Sequence, residues 1–141
     1  GALRELRPQL LDRFGLYVHI TGIRDPMARV EVMERRIAFE QDPVGFCQQW
    51  EPESQALRTR IHTAIELHPQ ASIQRAETLA IARRCIDAGV DGHRADIITF
   101  KAAKALAAWH GRSQVTDEEI ETAIGLALPH RMRRLPFDEI G

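Results

Sequence analysis

Cysteine is scarce in this sequence, charge of one sign is not in excess, and no long apolar run occurs. The two cysteines, Cys47 and Cys85, are widely separated and form no CxxC pair. We interpret both as free, buried thiols of a reducing compartment rather than as a disulfide or a metal-binding pair. Nineteen Lys and Arg residues nearly balance twenty Asp and Glu residues, for a net charge of −1. This balance argues against a general electrostatic grip on nucleic acid, which needs an excess of cations.

No apolar stretch approaches the roughly 20 residues that a membrane-spanning helix needs, and the first residues do not resemble a secretory signal. We therefore expect no membrane span. The chain has 141 residues, of which 44% are hydrophobic and 28% charged. These values are typical of a globular protein with a proper hydrophobic core.

The hydrophobic pattern predicts a mainly helical fold with one strand. Apolar and polar residues alternate from Leu16 to Thr21, as they do in a strand with one buried face. A short helix is predicted before it, from Pro8 to Phe14, because proline suits a first turn and Gly15 suits a helix end. A lone strand cannot satisfy its own backbone groups, so we expect it to need partners that this chain does not obviously supply.

A broken helical segment is predicted next. Asp25 is a suitable N-cap and Pro26 a suitable first residue, so a helix is expected from there to about Gln41. The dipeptides Asp42-Pro43 and Glu51-Pro52 each predict a break, because proline disfavours helical backbone in the residue before it.

Residues 53–129 are predicted to form a bundle of about four helices. Ser72 and the capping box from Thr116 to Glu119 indicate helix starts, and Pro69, Gly89, Gly111 and Pro129 indicate helix ends. In the second helix of this bundle, the residues predicted to face inward are Ile73, Ala76, Leu79, Ala82 and Ile86. In the third, they are Ile97, Ile98, Ala102, Ala105, Leu106 and Trp109.

Recognisable catalytic and metal-binding patterns are missing. None of the six histidines stands at a metal-binding spacing, so no metal site is predicted. No arrangement of Ser, His and Asp or of Cys and His stands out. The GxxxxGK[ST] loop that cradles phosphates is not present either.

Two arginines at helix ends are better candidates for chemistry. Arg13 projects with Asp12 from the end of the first short helix, as a fixed guanidinium for a ligand outside the fold. Arg94 stands at a helix start, where unpaired N–H groups and the helix dipole favour an anion and arginine adds a bidentate donor for phosphate. For each arginine a surface salt bridge stays open, with Asp12 as partner of Arg13 and Asp96 as partner of Arg94.

A basic cluster follows the last predicted helix, from His130 to Arg134, and contains Arg131, Arg133 and Arg134. It is either a solvated tail or a contact surface for an acidic partner or a neighbouring subunit. The apolar residues Leu135 and Phe137 behind it are candidate docking residues.

Several blocks of sequence, in order and spacing from about Leu6 to Phe137, resemble the AAA+ ATPase subunit of magnesium chelatase. The blocks are LRPQLLDRFG (6–15), RDP (24–26), RIAFE (36–40), VDGHRADI (90–97) and LPHRMRR (128–134). The first and the last two are specific signals, whereas single helical stripes are not.

The resemblance implies an activity and roles for the two arginines. Magnesium chelatase inserts Mg²⁺ into protoporphyrin IX in (bacterio)chlorophyll biosynthesis, and its ATPase subunit forms rings that hold nucleotide between neighbours. Arg13 matches the arginine finger, which reaches the γ-phosphate bound by the adjacent subunit, and Arg94 matches the sensor-2 arginine of the lid. Asp12, His93 and Asp96 are implied as support at the subunit interface.

The resemblance also implies that the chain is a C-terminal piece, because the family's Walker A, Walker B and sensor-1 motifs are not found here. Residues 1–25 would be the end of the α/β core with the finger helix and last strand, 26–52 a linking helical insertion, and 53–141 the helical lid with sensor 2. ATP and Mg²⁺ would then be bound mainly by the missing part, and the piece alone would be inactive.

The implied partners are further copies in the ring, the AAA+/integrin-I-like subunit and the porphyrin-binding subunit, with no nucleic acid. The implied location is the cytoplasm, or the plastid stroma in a plant or alga. Two alternatives stay open. One is the lid of a cobalt-chelatase-type or MoxR-like AAA+ remodelling ATPase. The other is a non-catalytic helical adaptor that binds other proteins through residues 130–134.

Overall fold

The computed structural model describes residues 7–132, which are mainly helical as the sequence predicts. In these residues the α-helices are α1 (Pro8–Leu11), α2 (Pro26–Gln41), α3 (Pro43–Leu67), α4 (Arg75–Asp87), α5 (His93–Trp109) and α6 (Asp117–Ala127). A 3-10 turn at His68–Gln70 follows α3. Within this range, no helix combines the length and the apolar character that crossing a bilayer requires.

The chain divides into two compact units. In the described part, one comprises residues 19–62 and the other residues 7–18 together with 63–132. Helix α3 therefore begins in one unit and ends in the other. The division into residues 1–25, 26–52 and 53–141 stays a prediction.

The strand predicted from Leu16 to Thr21 is not formed, so that prediction is wrong. The residues that were expected to face a core, Leu16, Val18 and Ile20, are 49%, 64% and 85% exposed. The Tyr17 N–H instead donates to the Leu126 carbonyl at 2.7 Å, a contact with the last turn of a helix. A strand exists through its ladder of hydrogen bonds, and no described segment pairs with this one.

In the unit of residues 19–62, helix α2 begins and ends as predicted. The Asp25 carboxylate accepts a hydrogen bond from the Met27 N–H at 3.2 Å, with Pro26 as the first helical residue. The predicted break at Asp42 is also confirmed, and the Asp42 carboxylate accepts from the Gly45 N–H at 3.1 Å in the next helix.

The second predicted break is wrong, because α3 continues through Pro52. Proline inside a helix removes one backbone hydrogen bond and costs about 3 kcal/mol. Side chains on both sides of it are joined here: the Arg58 guanidinium donates to the Glu51 carboxylate at 2.8 Å and to the Gln55 amide oxygen at 3.0 Å. Proline predicts a break from local preference alone, and here the helix is continuous from Pro43 to Leu67.

The core of the other unit is built from small residues where α5 packs against α6. The alanines that are fully enclosed are Ala95, Ala103 and Ala107 on α5 and Ala123 and Ala127 on α6. Larger side chains from α4 and the flanking loops fill the rest, among them Ile81, Cys85, Val115 and Leu128. Methyl side chains let two helix backbones approach closely, so the alanine face of α5 is the buried one.

Several of the predicted inward-facing residues are therefore exposed. Leu79 and Ile86 on α4 are 50% and 72% exposed, and Ile97 on α5 is 52% exposed. The predicted alanines Ala76 and Ala105 are exposed as well. The predicted inward face of each helix is rotated from the true one, although Ala102 and Leu106 are buried or half-buried as expected.

Replacing Ala103 by leucine tests this packing. Extra carbon atoms at a fully enclosed helix contact force the backbones apart, so we expect the free energy of unfolding to fall by about 1–3 kcal/mol. Ala105→Leu is the matched control, because Ala105 lies on the exposed side of the same helix. Urea unfolding of the two variants should give clearly different midpoints, and equal midpoints would show that Ala103 is not enclosed.

The helix ends of this unit mostly follow the predicted signals. Gly89 and Gly111 adopt positive φ angles of 76° and 73° after α4 and α5. The Glu119 carboxylate accepts a hydrogen bond from the Thr116 N–H at 3.1 Å, as expected of the capping box, and also accepts one from the Thr116 hydroxyl. Ser72 does not cap α4, which begins after Gln74. Its N–H instead donates to the Ser113 carbonyl at 2.8 Å.

Candidate functional site

The candidate site is centred on the turn that follows α1. Backbone hydrogen bonds close this turn: the Asp12 N–H donates to the Pro8 carbonyl at 3.0 Å, and the Arg13 N–H donates to the Leu10 carbonyl at 3.1 Å. A helix of four residues has little stability of its own. The position of Asp12 and Arg13 therefore depends on contacts with the rest of their unit.

The Asp12 carboxylate lies between two arginines that are distant in sequence. One oxygen accepts from Nε of Arg131 at 2.9 Å, and the other is 3.4 Å from a terminal nitrogen of Arg94. The sequence left open a salt bridge between Asp12 and its neighbour Arg13. The structure pairs Asp12 with Arg94 and Arg131 instead, and no ion pair joins the Arg13 guanidinium to any residue of the described range.

Arg94 is the second residue of α5, next to the N-terminus of this helix. Gly92 precedes the helix and supplies no side-chain cap to its first N–H groups. The Arg94 side chain is 47% exposed, and its 3.4 Å contact with Asp12 is longer than the 2.7–2.9 Å typical of strong charged hydrogen bonds. A loosely paired guanidinium beside uncapped N–H groups is suited to an anion.

Arg13 is exposed and lines a surface depression with Arg7, Gln9 and Leu10. Two arginines at one depression again favour an anionic ligand. Asp12 forms an ion pair with Arg94 and precedes Arg13 in the chain. The residue Asp12 thus connects the two candidate arginines.

His93 and Asp96 lie on the same first turn of α5. His93 is 96% exposed, and its Nδ1 is 4.0 Å from the Asp96 carboxylate. Asp96 is half-buried and lies near the Cys85 thiol. Burial, and then this contact, raises the pKa of Cys85 to about 11, so the thiol stays protonated at neutral pH. Cys85 is buried as predicted, whereas Cys47 is exposed, and both are free.

Arg131 is the residue whose position the sequence did not indicate. Its side chain is only 1% exposed, and it donates to the Asp12 carboxylate and to the carbonyls of Asp12, Phe14, Gly15 and Ala127. This burial argues against Arg131 as a contact for a partner, because a guanidinium enclosed by its own chain is not presented outward. Only its place just after a helix end, where a cation is favoured, could have suggested an internal role.

His130 accompanies Arg131 in the interior. It is 8% exposed, its Nε2 lies 2.7 Å from the Phe14 carbonyl, and its ring centre is 5.9 Å from that of Tyr17. Because a carbonyl can only accept, Nε2 carries the proton. The other predicted contact residues of this cluster, Arg133 and Arg134, lie outside residues 7–132, as do Leu135 and Phe137.

A second polar cluster lies at the start of α6. His110, Glu118 and Glu119 bring three potential metal-ligand atoms within 4.8 Å of one another. The Arg112 guanidinium donates to both carboxylates, at 2.9 and 2.7 Å, and supplies the positive charge there. We therefore interpret this cluster as an internal ion-pair network.

Comparison with known proteins gives a consistent result. The family model described as the AAA lid domain matches residues 78–141. The chain is 45% identical to magnesium-chelatase subunit ChlI of Synechocystis over 136 residues, 96% of this chain and 38% of that protein. It is 46% identical to a ChlI homolog of Methanocaldococcus jannaschii over 95% of this chain and 37% of that protein. The chain thus spans well under half the length of these curated relatives.

A solved structure shares the fold. It is the crystal structure of a candidate ATPase from Cytophaga hutchinsonii, with a TM-score of 0.60 and 20% sequence identity. The match covers 90% of this chain and 41% of that one. At this identity the similarity concerns the fold alone.

Proposed function

We propose a function for this chain from the premise that it is a homologue of magnesium-chelatase subunit ChlI and carries an AAA lid domain. In this proposal the chain supplies the lid and two phosphate-contacting arginines of an AAA+ ATPase subunit. The whole subunit couples ATP hydrolysis in a ring to the insertion of Mg²⁺ into protoporphyrin IX, in (bacterio)chlorophyll biosynthesis. The Mg²⁺ that enters the porphyrin is a substrate.

The observation that supports this proposal is the arrangement around Asp12. One carboxylate links Arg94, at the uncapped start of α5, with the turn that carries Arg13. Phosphoryl transfer spreads negative charge over the transferred group, and fixed guanidinium groups stabilise that charge. Both arginines are exposed enough to reach a ligand outside this chain.

The two arginines have different roles in the proposed reaction. ATP supplies the γ-phosphoryl group and is held, with its Mg²⁺, mainly by parts of the subunit beyond this chain. Arg94 binds phosphate oxygens together with the first N–H groups of α5, and Asp12 orients its guanidinium. Arg13 is the arginine finger and acts on the nucleotide of a neighbouring subunit.

The remaining predicted residues belong to the subunit interface in this proposal. His93 is almost fully exposed on the first turn of α5, and Asp96 lies on the same turn, 4.0 Å from His93 Nδ1. Arg133 and Arg134 are proposed to contact a partner. The proposed partners are further copies in the ring, the AAA+/integrin-I-like subunit and the porphyrin-binding subunit.

An ATPase assay tests the role of Arg94. We expect no hydrolysis above background from the 141-residue chain, and a strong loss of kcat in the full-length subunit with Arg94→Ala. Arg83→Ala is the control, because Arg83 is an exposed arginine of α4 and leaves the Asp12 cluster intact. Hydrolysis by the chain alone that Arg94→Ala removes, or equal kcat values for the two full-length variants, would contradict the proposal.

A further inference from the structure

All five N–H donors of the Arg131 side chain form hydrogen bonds with acceptors of its own chain. A guanidinium has five N–H donors, one on Nε and two on each terminal nitrogen. Nε donates to the Asp12 carboxylate at 2.9 Å. One terminal nitrogen donates to the Gly15 and Ala127 carbonyls at 3.1 and 2.6 Å, and the other to the Asp12 and Phe14 carbonyls at 2.8 and 2.7 Å. Every donor has its own acceptor, which is what a buried charge requires.

These acceptors lie on two elements far apart in sequence. Three of the carbonyls belong to the Asp12–Gly15 turn, and the fourth belongs to Ala127, the last residue of α6. The C-terminal end of a helix carries partial negative charge, so a cation is favoured there. Arg131 therefore joins the turn that carries Arg13 to the end of α6.

Two further contacts keep the same turn in place. His130 donates from Nε2 to the Phe14 carbonyl at 2.7 Å, beside the Arg131 guanidinium. Gly15 lies near the Ile98 side chain of α5, since a β-carbon added at Gly15 would be 3.8 Å from it. The turn is thus held from both α5 and α6, with Arg131 as the contact that engages most of its carbonyls.

We infer that Arg131 is a positioning residue: it clamps the Asp12–Gly15 turn, and thereby holds Arg13, which this turn carries, and Arg94, which pairs with Asp12, in a fixed arrangement. The link to Arg94 runs through Asp12, whose two carboxylate oxygens face Arg131 and Arg94 respectively. Arg131 is enclosed and does not contact the ligand itself. This inference rests on the proposed function, which it extends by one residue.

Lysine is the informative substitution at this position. It preserves the positive charge at the end of α6, but its three donors radiate from one nitrogen atom and cannot reproduce a planar fork. A role in charge alone would tolerate Arg131→Lys, whereas a clamp would not. Arg84→Lys is the matched control, since Arg84 forms an exposed ion pair with Glu121 between α4 and α6 of the same bundle.

Hydrogen exchange of the 141-residue chain measures the clamp without any nucleotide. We expect Arg131→Lys to speed exchange of the amides in residues 12–18, including that of Tyr17, while α5 and α6 stay protected. Arg84→Lys should change neither region. If the lysine variant does not fold, Arg131→Gln takes its place, because a neutral amide removes the buried charge. Unchanged exchange in residues 12–18 would overturn the inference.

Steady-state kinetics of the full-length subunit measure the consequence. Misplacing a catalytic group by about 1 Å can cost roughly 10²-fold in rate. We expect Arg131→Lys to lower kcat by that order while KM for ATP stays near its original value. Full kcat in Arg131→Lys, with Arg13→Ala inactive, would overturn the positioning role. If Arg13→Ala and Arg94→Ala are themselves fully active, the proposed function is wrong, and so is the kinetic role of Arg131. The hydrogen-exchange data then decide on their own whether Arg131 clamps the turn.

Discussion

Arg13→Ala in the full-length subunit will reduce ATP hydrolysis by about 10³–10⁵-fold, the range known for loss of an arginine finger. Nucleotide affinity will change little, because the Arg13 side chain stabilises charge that develops during transfer rather than the bound ground state. The measurement is kcat together with the equilibrium dissociation constant of ATP. Arg7→Ala is the control, since Arg7 lines the same depression and a general effect of positive charge would appear in both variants.

Mixing subunits tests whether Arg13 acts across an interface. A second variant with a disabled nucleotide-binding loop and an intact Arg13 is inactive alone. Mixed with Arg13→Ala subunits, it is expected to restore part of the hydrolysis, because its finger can face a neighbour's nucleotide. Weakened ATP binding by Arg13→Ala, or inactive mixed rings, would contradict a finger that acts between subunits.

Two helix caps predicted from local sequence are confirmed by the structure. Asp25 caps α2, and Glu119 accepts from the Thr116 N–H at the start of α6, since each contact joins residues only two or three positions apart. Such contacts form where the helix begins at the predicted residue. Ser72 is the exception, because its N–H donates to the Ser113 carbonyl and α4 begins after Gln74. Pro52 shows the limit, because the whole of α3 outweighs a preference of one residue.

Helix faces were harder to predict because burial depends on which neighbour a helix meets. Leu79 and Ile97 have the size and polarity of core residues and are exposed, while Ala103 is fully enclosed. The sequence does not specify how closely α5 and α6 approach, and that distance decides whether methyl or branched side chains fill the contact. The strand prediction failed for a related reason, since alternation in residues 16–21 indicates a strand only where a partner strand exists.

The candidate site was predictable in its exposed parts. Arg94 could be found because a helix start is readable and a basic residue there has a physical meaning. The contact between Asp12 and Arg131 joins residues 119 positions apart, and no periodic or capping pattern encodes it. The sequence therefore assigned Arg131 to a basic cluster that is either a solvated tail or a contact surface, whereas the structure encloses its side chain.

Glu119→Gln will lower the free energy of unfolding substantially while it leaves the Asp12 cluster intact. The Glu119 side chain is fully enclosed. Burial alone would raise its pKa, but hydrogen bonds from Thr116, His110 and Arg112 outweigh burial and lower the pKa from 4.5 to about 2. One pKa unit equals 1.36 kcal/mol, so the ionised carboxylate contributes roughly 3 kcal/mol at neutral pH. That is a large share of the ~5–15 kcal/mol that stabilises a whole domain.

The pH dependence separates this contribution from simple packing. A lowered carboxyl pKa stabilises the fold fully above pH 4.5, and the stabilisation is lost as the pH falls from 4.5 to about 2. Urea unfolding of the 141-residue chain should show that loss. The Glu119→Gln variant should have a lower free energy of unfolding at pH 7, and this free energy should change little between pH 4.5 and pH 2. Glu118→Gln is the matched control, because Glu118 binds the same Arg112 but is 59% exposed and contributes about 0–1 kcal/mol. Equal losses in the two variants would show that Glu119 is not the buried anion that holds the start of α6.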